Sequence, residues 1–524
     1  MEIPPEIILC IGQSLSHRDL RYCIRINKTW HNVLTSILYR SVDEIIMCKP
    51  SLNSLNKYMH LIQDAKVIVE GPYMSQITNR SSILNLRCLC LYVKEDTVFT
   101  SSTSDIFKFI PHLSSLSVKD ARPLGKNFPL QSILGGFPPS LKELHLDSAY
   151  LSMSTLQLIV NPGLTLEKLS LIHCEIDIND SFELFDDADI HPRLPNISSL
   201  RFSCRKGLLD LGAWLKNCPN TRILQWYSGS TGMGVPILGN RILSVEAPRW
   251  SRIQSLSLYG DNRGGKLAGD LLSLILDACA PLTKICISHS GFSIKSFFSL
   301  ERHFSTLEHL GLTYIEGVQS WMSQSVLSSC PRLVHFDGWV LLGYDLIHDL
   351  DAEAQRKQAS DLYFITMTGD LSQQGKKMDP VVRKRYFARD IRQVRPWVCH
   401  GLTTLRVAIA ETKPQWQESI FKRISTLTEL RELDISRHHG SFRGDSLDLR
   451  LISGLGHLDS LTHLEALYYS ETPQFMEACD VQWMLDAWPN LRNLNWEFNE
   501  EPKKNDELSK IVERHFWDTD EYYN

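Results

Sequence analysis

The 524-residue chain has no run approaching the ~18 consecutive apolar residues that a membrane helix needs, so no transmembrane span is expected. Nor does it carry an excess of one charge. Its 55 Lys and Arg stand against 60 Asp and Glu, a net charge of −5, which gives no global pull toward nucleic acid or an anionic membrane. There is no CxxC pair and no other paired-ligand spacing. The 13 cysteines, Cys90, Cys204, Cys218, Cys279 and Cys330 among them, are spread singly through apolar contexts. An odd count and the absence of a leader ahead of "MEIPPEII" imply reduced thiols, a cytoplasmic or nuclear location, and a chain that opens directly on its first domain.

A repeat organises what is present. Leu-x-x-Leu-x-Leu returns roughly every 28 residues between positions 86 and 496, as in "LRCLCL" (Leu86, Leu89, Leu91), "LKELHL" (Leu141, Leu144, Leu146), "LEKLSL" (Leu166, Leu169, Leu171) and "LEHLGL" (Leu307, Leu310, Leu312). Looser copies include Ile197/Leu200/Phe202, Leu224/Trp226, Leu333/Phe336 and Leu491/Leu494/Trp496. Third positions step by 27, 28, 25, 31, 24, 32, 29, 25 and 26 residues up to Gly338. Such a register predicts an α/β solenoid, a leucine-rich-repeat horseshoe with a concave parallel sheet and convex helices. Amphipathic stretches at 208–220, 267–281 and 326–332 supply the helices. Cys218-Pro219, Cys330-Pro331 and Trp488-Pro489 end them, because proline cannot continue a helix.

The next step, Gly338 to Val407, is 69 residues. Residues 339–397 therefore read as an insertion, basic in its second half (Lys376, Lys377, Arg383, Lys384, Arg385, Arg389, Arg392, Arg395). The expected organisation is 1–42 helical, 43–338 repeats, 339–397 insertion, 398–498 repeats, and 499–524 a C-terminal cap with a short helix around Leu508 to Trp517.

No complete catalytic motif accompanies the repeat. "GDNRGGKL" (Gly260–Leu267) matches GxxxxGK, but Leu267 stands where a phosphate loop needs a magnesium-binding hydroxyl. "FDDADIHP" (Phe185–Pro192) reads as a solvated acidic loop, and His438-His439 and Cys88-x-Cys90 lack further ligands at a workable spacing. No metal, cofactor or enzymatic activity is expected. Strand alternation instead turns the residues between the leucines outward. His145, Tyr227, Tyr259, His309, His335, Trp339 and Arg406 are the candidate contacts for a protein target, with the exposed aromatics as anchors.

Residues 3–42 differ, with helical periodicity: Ile7, Ile8, Ile11 and Leu15 on one face, Leu20, Cys23, Ile24 and Ile26 on a second, Trp30, Val33, Leu34, Ile37 and Leu38 on a third. Ile3-Pro4-Pro5-Glu6-Ile7, Asp19-Leu20, the Cys23/Ile26 spacing, and Trp30 followed by Leu38 and Arg40 resemble an F-box. Ile3 replaces the usual leucine before proline. A three-helix F-box followed by leucine-rich repeats is similar to the F-box/leucine-rich-repeat substrate receptors of SCF-type cullin–RING ubiquitin ligases, in the style of fungal F-box-like proteins. That resemblance implies that Pro4, Pro5, Ile7, Leu20, Ile26 and Trp30 serve docking to the SCF adaptor subunit and through it a cullin scaffold. Some of these six serve as contacts, and Trp30 is mainly local core. The repeats then hold an unknown target protein. The alternative is an interaction scaffold unrelated to ubiquitylation, whose F-box-like helices only cap the solenoid edge.

Overall fold

The computed structural model describes residues 3–43, 57–68, 85–93, 110–119, 138–160, 164–176, 194–206, 211–228, 250–260, 269–315, 317–347, 394–436 and 446–520. Two compact units divide the chain, one reaching to Ile253 and the other starting at Gln254.

The first unit opens with α1 (Pro5–Ser14), α2 (His17–Cys23) and α3 (Lys28–Leu38). Pro5 occupies the first helical position, where its missing N–H costs nothing. Asn27 Oδ1 caps α3 by accepting from Trp30 N at 2.9 Å, and Ser16 Oγ accepts from Asp19 N at 3.3 Å to cap α2. The three helices close on Ile8, Leu20, Leu34 and Leu38, with Leu15, Cys23, Ile24, Trp30 and Ile37 packed around them. Gly12 lets α1 approach α3, since a Cβ there would collide with Leu34 and Ile37. The inward face of α1 is therefore Ile8 and Gly12, and Ile7 points out.

No linker follows. The carbonyl of Arg40 accepts from Gln63 N at 2.9 Å and Asp64 N at 3.1 Å, and Tyr39 stacks on Tyr58 at 4.4 Å. The sheet begins at once with β1 (Ser41–Asp43). There follow β2 (Asp64–Ile68), β3 (Cys88–Tyr92), β4 (Ser115–Lys119), β5 (Glu143–Asp147), the short β6 (Tyr150–Leu151), β7 (Lys168–Ile176), β8 (Ser199–Lys206) and β9 (Ile223–Ser228). Each pairs parallel with its neighbour, Leu89 beside Leu116, Leu144 beside Leu169, Leu169 beside Leu200. α4 (Met153–Ile159) and α5 (Leu211–Asn217) lie in the connections.

The second unit repeats the scheme with β10 (Ser255–Tyr259), β11 (Lys284–Ser288), β12 (His309–Thr313), β13 (His335–Leu342), β14 (Thr404–Ala410), β15 (Glu432–Asp434), β16 (Ala466–Tyr468) and β17 (Asn493–Leu494), all parallel. Its helices are α6 (Gly269–Ala278), α7 (Ile294–Leu300), α8 (Ser320–Leu327), α9 (Gly343–Leu346), α10 (Pro414–Ile424) and α11 (Ala478–Ala487). α5, α8 and α11 stop ahead of the Cys-Pro and Trp-Pro pairs, as their sequence predicts. The final α12 (Pro502–Asp520) packs on α11 and buries Leu508 and Val512; it is longer than the helix expected around 508–517.

In each unit the repeat leucines make a buried face, with Leu89, Leu116, Leu144 and Leu169 in the first and Leu256, Leu310, Leu405 and Leu433 in the second each at most 2% exposed. Two of the anchors depart: Trp226 is half-buried and Trp496 is 47% exposed. At the strand entrances, hydroxyls and amides step from one repeat to the carbonyl of the one before: Ser114 to Arg87, Ser140 to Pro111, Ser198 to Glu167, Asn220 to Pro195, Thr306 to Leu282, Thr403 to Val334, Asn490 to Thr462. The side chains give donors to the Pro111, Pro195, Leu282 and Thr462 carbonyls, add to the two backbone N–H groups already on those of Arg87, Glu167 and Val334, and tie each repeat to the one before. At the strand exits the chain turns through left-handed residues that are not glycine, Ser148, His289, Tyr314 and Glu411, with His173 at the register shift within β7 and Glu471 three residues past β16. A small local cost in backbone energy recurs from repeat to repeat.

β13 continues through Val340 and Leu342 to α9, so the span expected as an insertion begins with ordered strand. Residues 348–393 lie outside the described residues. Where the chain returns, Arg423 of α10 donates to the carbonyls of both Leu346 (3.0 Å) and Arg395, and its guanidinium lies 5.1 Å from the Trp397 ring centre. Trp397 Nε1 donates to Gln324 Oε1 at 2.8 Å, and Gln324 Nε2 reaches Arg395 O at 3.1 Å. The departure and return of the 69-residue step are thus pinned at one place.

Candidate functional site

Two surfaces carry the residues that the sequence singles out. The first is the outside of the three-helix unit. Pro4 and Pro5 are exposed at the start of α1, and Ile7 is 51% exposed. Ile26, expected to share a helical face with Leu20, stands in the turn after α2 and is 60% exposed. Ile3, Leu9 and Tyr22 are exposed as well. Leu20 differs: it is 4% exposed within the core of the unit, because the face of α2 that carries it packs on α1 and α3. It is a support rather than a contact. Trp30 is half-buried against the same core. Of the eleven large apolar side chains exposed among the described residues, five lie between Ile3 and Ile26. A unit this small that leaves so much apolar surface in water has a face suited to a partner.

The second surface is the polar face of each sheet. In the first unit His145 sits between Ser117 and Ser170, and its Nδ1 shares a 2.8 Å hydrogen bond with Ser170 Oγ. Burial lowers its pKa, against the attraction of Asp147 and with the help of Lys119 and Arg201. Arg201 Nε donates to Gln225 Oε1 at 2.5 Å, and Tyr227 lies half-buried beside Ser203. In the second unit His309 pairs with His335 in register, their rings 6.0 Å apart. Burial lowers both pKa values, and Lys284 beside His309 and Arg406 beside His335 add to the effect. Arg406 Nε donates to Glu432 Oε1 at 2.7 Å. Tyr259 ends β10 opposite Ser288, half-buried. Trp339 falls at the register shift of β13, and its side chain lies outside the described residues.

The structure thus gathers His309, His335 and Arg406 on neighbouring strands, and places His145 and Tyr227 in the other unit. Strand alternation misplaces three outward positions: Ser203, Ser257 and Asp434 are 3%, 1% and 9% exposed. Asp434 turns its carboxylate onto Ser436 N at 2.9 Å, so it is spent on the strand exit.

The other motifs fall largely outside the described residues. Gly260 is required because a Cβ there would collide with the His289 carbonyl, a packing reason for its place in GxxxxGK. Residues 261–268, the acidic stretch 185–192 and His438-His439 lie outside the described residues. Among the described residues no three His, Cys, Asp or Glu form a group that could hold a metal ion. Cys88 is pushed up to about 11 by burial and by Asp64, and burial takes Cys174, Cys218, Cys279 and Cys399 to about 12. These thiols are protonated at neutral pH, the opposite of an activated nucleophile. No described helix is long and apolar enough to cross a membrane.

No family model matches the chain, and no curated protein matches it. Among solved structures, an internalin (inlF) from Listeria monocytogenes aligns over 85% of this chain and 83% of its own, at 11% identity and a TM-score of 0.31. TLR13 in a complex with ssRNA13 aligns over 88% of this chain at 13% identity and a TM-score of 0.34. This chain spans 55% of the length of that one. The leucine-rich-repeat fold stands on the strands and their register, and no function is carried over from either neighbour.

Proposed function

We propose that the chain is the non-catalytic substrate-recognition subunit of an SCF-type ubiquitin ligase. Its three-helix unit docks on the adaptor and its repeats hold a target protein. One observation carries the reading: the F-box-like segment builds its own core from Ile8, Leu20, Leu34 and Leu38 while leaving Ile3, Ile7, Leu9, Tyr22 and Ile26 outside. A segment serving only as an edge cover has no need of apolar residues on its far side. The work of such a subunit is proximity. It raises the effective concentration of a target lysine near an active site that belongs to another subunit.

Co-expression with the adaptor is expected to give a stoichiometric complex. Ile7→Asp with Ile26→Asp, both at exposed positions, is expected to abolish that complex with the thermal melting point unchanged. Failure of the wild-type chain to bind the adaptor removes the ligase reading and leaves the interaction scaffold.

A further inference from the structure

The charge of the three-helix unit differs from that of the chain. Residues 3–40 hold five Lys and Arg against two Asp and Glu, within a molecule whose net charge is −5. Four of the five cations, Arg18, Arg21, Arg25 and Lys28, fall within eleven residues.

α2 sets their direction. Its inward side is Leu20, 4% exposed, with Cys23 and Ile24 packed on the same core. At 3.6 residues per turn the opposite side carries Arg18, Tyr22 and Arg25, each one turn from the next. The winding continues past the end of α2, since Arg25 N donates to Tyr22 O at 3.0 Å and Ile26 N to Cys23 O at 3.1 Å. Arg18 and Arg25 are exposed, Tyr22 is 59% exposed, and Ile26 at the border of the stripe is 60% exposed. Neither Arg18 nor Arg25 makes an ion pair among the described residues. The carboxylate nearest in sequence, Asp19, is engaged at the start of the helix, where it accepts from Ser16 Oγ at 2.5 Å. The other anion of the unit, Glu6, lies on α1.

Two guanidinium groups on either side of a phenol ring, bordered by an aliphatic side chain, complement one chemistry, a segment that carries both carboxylates and apolar residues. An anionic membrane is a poorer match. A lipid-binding helix buries a long apolar face, and here seven helical residues and a turn offer two apolar side chains.

We propose that Arg18, Tyr22, Arg25 and Ile26 form the docking face for an acidic, apolar-containing segment of a partner protein. This rests on the reading of the three-helix unit as a docking element, and it names the chemistry of what docks there. Tyr22 and Ile26 are the anchors, and the two arginines steer and orient the segment.

The test is subtractive panning of random twelve-residue peptides on the full chain. Peptides that bind the variant Arg18→Gln, Tyr22→Ser, Arg25→Gln are removed first, which also removes those held by cationic stretches elsewhere. The remainder is captured on the wild type. The survivors are expected to combine Asp or Glu with aromatic or aliphatic residues and to bind the wild type at least ~tenfold more tightly than the variant. Added salt is expected to weaken them several-fold. All three positions are exposed, and matching melting curves certify the fold. Arg18→Lys with Arg25→Lys, which keeps the charge, is expected to keep most of the binding; a loss as large as in the first variant overturns the proposal. So do an absence of survivors, survivors that are neutral or basic, or binding to phosphatidylserine vesicles that the wild type shows and the variant lacks. Adaptor capture is scored separately. A wild-type chain that takes the acidic peptides and not the adaptor keeps this face and loses the ligase reading. One that takes the adaptor and leaves no survivors keeps the ligase reading and loses this proposal.

Discussion

His303 shows how one side chain ties successive repeats and makes the fold sensitive to acid. It is 1% exposed, its Nδ1 accepts from Leu282 N at 3.0 Å, and its Nε2–H donates to Leu276 O at 3.2 Å. That arrangement requires the neutral ring, since a second proton would face the Leu282 N–H. Burial accordingly lowers its pKa from 6.5 to about 4. The unfolded chain takes up the proton first, so this contribution is complete above pH 6.5 and is lost as pH falls toward 4. The shift corresponds to at most about 3 kcal/mol. Denaturant unfolding at pH 7.5 and 4.5 is expected to show that loss in the wild type. His303→Gln is expected to be about 1–3 kcal/mol less stable at pH 7.5, with a shallower fall on acidification. Equal slopes in both chains would show that the ring titrates normally. His145, His309 and His335 are shifted in the same direction and are only half-buried, so a smaller slope remains in the variant.

At the scale of elements, the sequence is most legible where a period is enforced by packing. Leu310, Leu405 and Leu433 are buried as the spacing demands, because a strand slipped by one residue would turn all its leucines to water. Legibility fades where side chains bond to distant backbone. Nothing in the local pattern marks Arg423 as the residue that joins Leu346 to Arg395, positions 77 and 28 residues away. Ser257 and Asp434 escape for a like reason: alternation gives the direction of a side chain, not what lies over it. Burial brings the Arg423 guanidinium down to about 10, and among the described residues no carboxylate joins its two carbonyl partners. Arg423→Met preserves the apolar stem over Trp397 and removes the bridging donors. It is expected to cost about 1–3 kcal/mol. Amide hydrogen exchange is expected to rise at Ile347 and at 394–398 with α6 and α7 unaffected. Uniformly faster exchange through the second unit would show a global loss of packing instead.

For the whole molecule, the decisive question is whether residues 1–40 cover the sheet, dock on a partner, or do both. The covering role has direct support: Tyr39 stacks on Tyr58, and the Arg40 carbonyl takes two N–H groups from the start of β2. Removing residues 1–40 therefore strips the Tyr39 stacking and the Arg40 carbonyl from the start of β2 and leaves β1 without the helices ahead of it, and an uncapped repeat edge is prone to aggregation. The proposed docking role rests on other atoms, in α1 and in the turn after α2, where Ile7 and Ile26 stand in solvent. The two roles thus separate experimentally. Deleting residues 1–40 is expected to lower the melting temperature and to promote aggregation. Ile7→Asp with Ile26→Asp is expected to leave melting and solubility as they are and to remove adaptor binding alone. A cap with no docking role predicts a different pair of results, the same damage on deletion and no change in any interaction from the double substitution. Measuring melting, light scattering and adaptor capture on the three chains distinguishes the two, because a buried support such as Leu20 would move all three readouts together whereas an exposed contact moves one.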